Sequence, residues 1–170
     1  CALDQGRDVL AVPGSVLWLL ADNPWAQEQL RRQALLCGVD ETRLVFATRA
    51  LPPDYLARYA VADLFLDAYP FNGGTTANDA LWMGLPVLTR CGQTFASRMA
   101  GALLTAAGLP ELITYDLASY EEKAVALALD PAACARLKAQ LQQVRAQGAL
   151  FDTARFTRNL EAEFERLSTG

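Results

Sequence analysis

Short apolar runs alternate with segments of helical character along the first two-thirds of the chain. The runs have the length of buried strands, and they fall at residues 15–20, 43–46, 63–67 and 85–89, with a weaker fifth at 112–114. The run at 15–20 is apolar at nearly every position rather than at alternate ones. A strand of that kind is expected in a parallel sheet covered on both faces by helices.

Helices are predicted between these strands, because capping residues and prolines stand at their starts and glycines at their ends. Asn23 should cap a helix that Pro24 opens, and Asp54 should cap a short one. The predicted ranges are 1–12, 24–37, 55–60, 95–107, 117–129, 131–147 and 152–167, with a further helix that stops at Gly84. This alternation predicts an α/β fold with a doubly wound, Rossmann-like parallel sheet, helices on both faces and extra C-terminal helices. With 170 residues, the chain is expected to form a single domain over residues 1–170.

The stretch DAYPFNGGTTANDALW, at 67–82, joins a strand end to a helix through a glycine-rich turn. Thr75 or Thr76 is expected to cap the helix, with Asp79 in its first turn. Such a turn directs several N–H groups at one point, which suits a phosphate. An ordinary, well-capped connection would have the same pattern, and neither GxGxxG nor a Walker-type Gly-Lys-Ser/Thr is present. The stretch alone leaves both interpretations open.

The loops at 48–53, 68–74 and 90–93 should meet at one sheet edge, since each follows a strand of a parallel sheet. They would bring a set of polar and small residues to one crevice: Ala50, Arg58, Thr75, Thr76, Asp79 and Arg98. A phosphate on the turn at 74–76 would leave its nucleoside lying toward Arg58. The residues therefore support a nucleotide-site hypothesis.

Composition narrows the classes of function. The net charge is −4 and the basic residues are scattered, so no nucleic-acid partner is expected. The chain contains no histidine, which excludes His-based acid–base chemistry and most catalytic zinc sites within it. The four cysteines have no CxxC spacing and indicate a reducing, cytoplasmic location, and the apolar runs are too short to span a membrane.

Several motifs in a fixed order resemble one family. They are VPGSVLWLL at 12–20, ADLFLD at 62–67, NGGTT at 72–76, DALWMGLPV at 79–87, GQTFASR at 92–98 and LFDT at 150–153. Together they resemble the C-terminal catalytic lobe of the O-GlcNAc transferase / SPINDLY family. The resemblance covers nearly the whole chain.

This resemblance implies one lobe of a GT-B glycosyltransferase, in which two Rossmann-like lobes face each other across a cleft. Members carry tetratricopeptide (TPR) repeats before the catalytic lobes and transfer GlcNAc from UDP-GlcNAc to Ser/Thr hydroxyls of proteins, without a metal or other cofactor. SPINDLY-type plant members transfer fucose from GDP-fucose, and some bacterial relatives transfer glucose to Asn. The implied partners are UDP or UDP-GlcNAc, a protein acceptor, the N-terminal lobe and the repeats.

The family's nucleotide-binding positions carry over to named residues. By resemblance, Gly74, Thr75 and Thr76 match the diphosphate-binding turn. The nucleoside positions correspond to Ala50, Tyr55, Arg58 and Asp79. Tyr55 stands where animal members have a base-stacking histidine, and its ring can stack on the base or simply pack. Ser97 and Arg98 are interpreted as structural. The catalytic residues are expected outside this fragment, which should therefore be inactive alone.

Two departures from the family pattern keep other functions open. Pro52 replaces a lysine near the ribose, and Gly74 replaces a histidine that precedes the threonines. A related GT-B transferase using GDP-fucose or UDP-glucose is one alternative, and a degenerate, non-catalytic nucleotide-binding or interaction module is another. Finally, the helix at 152–167 carries an apolar stripe, which either packs into the core of this domain or, as expected for a GT-B protein, packs on the opposite lobe and is partly exposed here.

Overall fold

The computed structural model describes residues 11–20 and 23–168, which form parallel strands and seven α-helices. The strands are β1 (Leu17–Leu20), β2 (Leu44–Ala47), β3 (Phe65–Leu66), β4 (Val87–Arg90) and β5 (Ile113–Thr114). The helices are α1 (Pro24–Leu36), α2 (Pro52–Tyr59), α3 (Thr75–Trp82), α4 (Met99–Ala106), α5 (Leu117–Leu129), α6 (Pro131–Gln147) and α7 (Thr153–Ser168). The predicted α/β fold class is confirmed. Nearly all of the predicted helix at 1–12 lies outside the described residues.

Every ladder within the described ranges is parallel. β1 pairs with β2, and β4 stands between β3 and β5. Across the described segments, no ladder joins β1–β2 to β3–β4–β5. Since parallel strands end on the same side, the loops after β3 and β4 share one edge of their sheet.

Helices cover both faces of β4. Val87 belongs to the main core, with Leu81 of α3, Leu104 of α4 and Leu141 of α6, all of them fully buried. The next residue, Leu88, packs on the opposite face against Tyr120 and Ala124 of α5. Adjacent strand residues point to opposite faces, so β4 is the double-sided strand that the apolar runs predict.

The prediction that β1 is covered on both faces is wrong for the described part of the chain. Trp18 is 39% exposed and Leu20 is 60% exposed, whereas Leu17 and Leu19 are half-buried. Val45, opposite Trp18 in β2, is also exposed. One face of this ladder therefore carries apolar side chains that the described residues leave open.

Two caps show where local sequence rules hold and where they do not. Asn23 caps α1 as predicted, because its Oδ1 accepts the N–H of Trp25 at 3.0 Å. Asp54 does not cap α2, which already begins at Pro52 behind Leu51, without a side-chain capping bond. The Pro52–Pro53 pair favours the first helical turn, and this moves the start upstream of Asp54.

The remaining differences lie at element ends. The predicted strand at 63–67 shortens to Phe65–Leu66, and the helix predicted at 95–107 starts as a 3₁₀ turn, Ala96–Arg98, before α4. In α7 the apolar stripe is exposed, as predicted: Phe156, Leu160, Phe164 and Leu167. None of the described helices combines the length and apolar character that crossing a bilayer requires.

Candidate nucleotide-binding site

A buried carboxylate holds the glycine turn against the end of β3. Asp67 follows β3 directly and is 4% exposed. Its Oδ1 accepts the N–H of Gly73 at 2.7 Å, and its Oδ2 accepts the hydroxyl of Thr89 at 2.6 Å. Burial raises the pKa of the Asp67 carboxyl, although both hydrogen bonds act in the opposite direction. The loop thus returns to its own strand end, and the glycine turn lies at the carboxyl edge of the sheet.

Asn72 ties this loop to the one after β4. Its backbone N–H donates to the carbonyl of Ala96 at 3.1 Å. Its side-chain Nδ2 donates to the carbonyls of Ala68 at 2.9 Å and Arg90 at 3.3 Å. The residue is fully buried, so these bonds fix the relative position of the two loops.

The turn at Gly74–Thr76 forms the N-terminus of α3. Gly74 is the N-cap and no side chain caps the helix, so the prediction that Thr75 or Thr76 is the cap is wrong. Both threonines are instead the first two helical residues, and both are exposed. No group in the described part of the chain accepts their N–H groups. Two free donors and the positive end of the helix dipole therefore meet at this turn.

Neighbouring side chains explain both glycines of the turn. A Cβ on Gly73 would stand 2.7 Å from Oγ1 of Thr76, so the threonine side chain lies over this glycine. A Cβ on Gly74 would stand 2.6 Å from Cε of Met99. The end of the Met99 side chain thus occupies the space into which any larger residue at Gly74 would extend.

Tyr59 links α2 to the same turn. Its hydroxyl donates to the carbonyl of Thr76 at 3.3 Å, and it shares a short hydrogen bond with the hydroxyl of Tyr55. Burial, the hydrogen bond with Tyr55 and the nearby charge of Asp79 raise the pKa of Tyr59 well above its ordinary range. The raised pKa favours the protonated phenol, which is the form that donates to Thr76.

Tyr55 lies on α2 with Tyr59, and Asp79 lies on α3 with Thr76. The rings of Tyr55 and Tyr59 meet edge to face, with centroids 5.2 Å apart and planes at 75°. The structure thus shows the packing role of Tyr55, and its stacking on a base stays a prediction. Asp79 is the fifth residue of α3, and the first turn holds no acidic residue, so the predicted place of Asp79 in that turn is wrong. The helix starts at Thr75 rather than after a threonine cap, which accounts for the difference.

Arg58 connects the other end of the site. Its Nη1 donates to the carbonyl of Thr48 at 2.6 Å, which braces α2 against the loop that contains Ala50. Ala50 itself is half-buried. The structure therefore joins Ala50, Tyr55 and Arg58 through α2, and α2 to the turn at Gly74–Thr76 through Tyr59.

Ser97 and Arg98 differ in their surroundings. Ser97 is buried and exchanges hydrogen bonds with Thr94, including Ser97 N–H to Thr94 Oγ1 at 3.2 Å. Arg98 is exposed at the end of the 3₁₀ turn. The structural role predicted for Ser97 agrees with this network.

Sequence reasoning missed the residues that support the turn from behind: Tyr59, Asp67, Asn72, Thr89 and Met99. Only Asp67 carried a signal, since a carboxylate directly after a buried strand is placed at the ligand edge of a parallel sheet. The others act through contacts between elements, which periodicity does not show.

Comparison with known proteins relates this chain to one family. A profile described as glycosyl transferase family 41 matches residues 4–160. The chain is 37% identical over 157 residues to a probable UDP-N-acetylglucosamine–peptide N-acetylglucosaminyltransferase SEC of Arabidopsis thaliana, covering 92% of this chain and 16% of the relative. A UDP-N-acetylglucosamine–peptide N-acetylglucosaminyltransferase of Caenorhabditis elegans is 35% identical over 150 residues, which are 88% of this chain and 13% of that protein.

A solved structure shows the same architecture. A K341M mutant of the Thermobaculum terrenum O-GlcNAc transferase superposes with a TM-score of 0.92 and 33% identity, covering 97% of this chain and 32% of that one. The chain thus spans about a sixth of the Arabidopsis relative and about a third of the solved protein. The ordered motifs, the GT-B-like α/β fold and the profile match agree, and the chain belongs to glycosyl transferase family 41.

Proposed function

We propose that this chain is the sugar-nucleotide half of a protein O-glycosyltransferase that transfers GlcNAc from UDP-GlcNAc to Ser/Thr hydroxyls. The observation that carries the proposal is the turn at Gly74–Thr76, where the N–H groups of Thr75 and Thr76 are free at the start of α3. N–H donors at a helix N-terminus bind the charge of a diphosphate without a metal ion. The names of the relatives, which specify UDP-N-acetylglucosamine and a peptide acceptor, support this choice of donor and acceptor.

The nucleoside would lie along α2. In this scheme the backbone of Ala50 and the side chain of Arg58 contact the base, Tyr55 packs beside it, and Asp79 faces the ribose. The bond from Arg58 to Thr48 supports the scheme, since it holds the loop of Ala50 at a fixed distance from α2. The remaining N–H groups of the guanidinium stay available to a base.

The catalytic groups, the opposite lobe, the TPR repeats and the acceptor site would lie in parts of a longer protein outside this chain. A single lobe presents one face of a cleft, and stabilising a transition state requires groups on both. We therefore expect nucleotide binding by the 170-residue chain, but no sugar transfer. Turnover of a labelled UDP-sugar by this chain alone would contradict that expectation.

The decisive experiment is a calorimetric titration with UDP, GDP and ADP. The test variant is Thr75→Ala/Thr76→Ala, and the matched control is Thr153→Ala/Thr157→Ala, which alters two exposed threonines of the first turns of α7. The test variant removes two hydroxyl donors but keeps the backbone N–H groups of the turn, so UDP should bind several-fold more weakly rather than not at all. The melting temperature should change little, because neither threonine is buried or caps the helix. The control should bind like the unaltered chain.

Each nucleotide outcome has a separate meaning. UDP selectivity, with binding weakened in the Thr75/Thr76 variant and not in the control, supports the proposal. GDP selectivity would favour a fucose donor. An absence of binding to all three, both in this chain and in a longer one extended toward the N-terminus, would favour a non-catalytic module.

A further inference from the structure

We propose that Asp67 is a positioning residue for diphosphate binding: its carboxylate fixes the Gly73 N–H and thereby sets the geometry of the turn at Gly74–Thr76. This inference rests on the proposed function, because it assigns the diphosphate to that turn. Asp67 itself would not touch the ligand.

Asp67 is anchored at every polar group that the structure shows. Its N–H donates to the carbonyl of Leu88 at 3.0 Å, and its own carbonyl accepts the hydroxyl of Tyr120 at 3.1 Å. The carboxylate oxygens accept from Gly73 and Thr89. A group held on β4, α5 and the turn at once is a fixed point against which a flexible loop can be ordered.

The carboxylate has no cationic partner in the described part of the chain. Burying such a group is costly unless hydrogen bonds compensate, and among those that it accepts, one comes from the turn and one from Thr89. A small apolar residue would fill the space at less cost. The feature that an apolar residue could not reproduce is an acceptor for the Gly73 N–H.

The turn needs such an acceptor because Gly73 and Gly74 are adjacent. Two glycines in sequence have many accessible conformations, and ordering them is entropically expensive. The bond to Asp67 fixes the amide plane that precedes Gly73. It also occupies the Gly73 N–H, so the donors left for a ligand begin at Gly74.

The experiment compares UDP with uridine, which shares the nucleoside but lacks the diphosphate. The variants are Asp67→Ala, Asp67→Asn and Thr89→Val, with Thr114→Val as matched control. Thr114 is a buried threonine whose hydroxyl donates to the Thr89 carbonyl at 3.0 Å without touching Asp67. Circular dichroism and thermal melts establish that each variant folds. If Asp67→Ala does not fold, Asp67→Asn and Thr89→Val carry the test.

In Asp67→Ala, UDP should bind at least about tenfold more weakly, the loss expected when a hydrogen bond to a charged group is removed. Uridine affinity should change less than about twofold, since the nucleoside contacts remain. Asp67→Asn retains an acceptor and should restore most of the UDP affinity. Thr89→Val should weaken UDP binding by a few-fold, and Thr114→Val should leave it unchanged.

Three results would overturn the proposal: unchanged UDP affinity in Asp67→Ala, equal losses for UDP and uridine, or equal effects of the Thr89 and Thr114 variants. If neither the unaltered chain nor the chain extended toward the N-terminus binds UDP, the proposed function fails on its own. The positioning role is then decided by amide hydrogen exchange at Gly73 and Gly74. Faster exchange in Asp67→Ala than in Thr114→Val supports it, and equal rates refute it.

Discussion

Replacing Gly74 with alanine should force Met99 out of its present position. The new Cβ would stand 2.6 Å from Cε of Met99, well inside ordinary van der Waals contact, which begins at 3.4 Å. Gly74 has φ −92° and ψ −85°, so it does not adopt the left-handed conformation that disfavours alanine. Since Met99 meets the new methyl with the flexible end of its side chain, a change of rotamer can relieve the overlap.

The cost can be bounded from these contacts. Off-rotamer side chains cost about 0.5–1.5 kcal/mol, and overpacking typically costs about 1–3 kcal/mol. The lower unfolded-state entropy of alanine returns about 0.4–1 kcal/mol. We expect a net loss of about 1 kcal/mol in the free energy of unfolding, which for a chain of this size is roughly 2–4 °C in melting temperature.

A double-mutant cycle isolates the contact. Gly74→Ala, Met99→Ala and the double variant are compared by urea unfolding and by UDP titration. In the Met99→Ala background the extra methyl meets no side-chain end, so Gly74→Ala should be neutral or slightly stabilising there. The coupling free energy should be about 1 kcal/mol, and UDP affinity lost in Gly74→Ala should return in the double variant. Equal effects of Gly74→Ala in both backgrounds would refute this account of the glycine.

Other predictions concern the remaining parts of the site and the surface. Arg58→Lys should weaken UDP binding several-fold in a titration with little change in melting temperature, because lysine lacks the planar guanidinium that reaches the Thr48 carbonyl; unchanged affinity would contradict the bracing role. Phe156→Glu/Phe164→Glu should abolish any concentration-dependent dimer seen by light scattering without lowering the melting temperature, since both rings are exposed on α7; a loss of stability would show that the stripe packs within the chain. Burial raises the pKa of Asp67, so its ionised form is disfavoured on folding and its contribution to stability falls as pH rises from the ordinary value of 3.8 toward the folded pKa. In urea unfolding at acidic and neutral pH, the free energy of unfolding of Asp67→Asn should lack this part of the pH dependence. A pH profile identical to that of the unaltered chain would contradict the raised pKa of Asp67.

The sequence predicted those features that depend on neighbouring residues. The apolar runs located the strands of a parallel α/β fold, and Asn23 before Pro24 located the start of α1. The same rule failed at Asp54, because two prolines upstream start α2 earlier. It also failed at Thr75, because the helix has a glycine N-cap, which lacks the side-chain signal on which capping rules rest.

The supporting contacts could not be predicted in this way, because they join residues far apart in sequence. Tyr59 reaches Thr76 across 17 positions, and Asp67 reaches Thr89 across 22. Each depends on which elements lie side by side, and the order of the strands sets that arrangement. The resemblance to the family predicted the turn at Gly74–Thr76 as the diphosphate site, but it did not reveal the residues behind it.

The two departures from the family pattern, Pro52 and Gly74, bear differently on the site. In the proposed scheme the diphosphate is bound mainly by backbone N–H groups at the start of α3, and a side-chain change at Gly74 leaves its N–H in place. Met99 occupies the space beyond Gly74, and the hydrogen bond from the Gly73 N–H to Asp67 fixes the turn. Pro52 opens α2, where a first-turn N–H has no helical partner, so proline costs the helix nothing there. Loss of the family's histidine and lysine side chains should therefore lower nucleotide affinity without dismantling the donor array, whereas loss of Asp67 should disorder that array while leaving every ligand-facing residue unchanged.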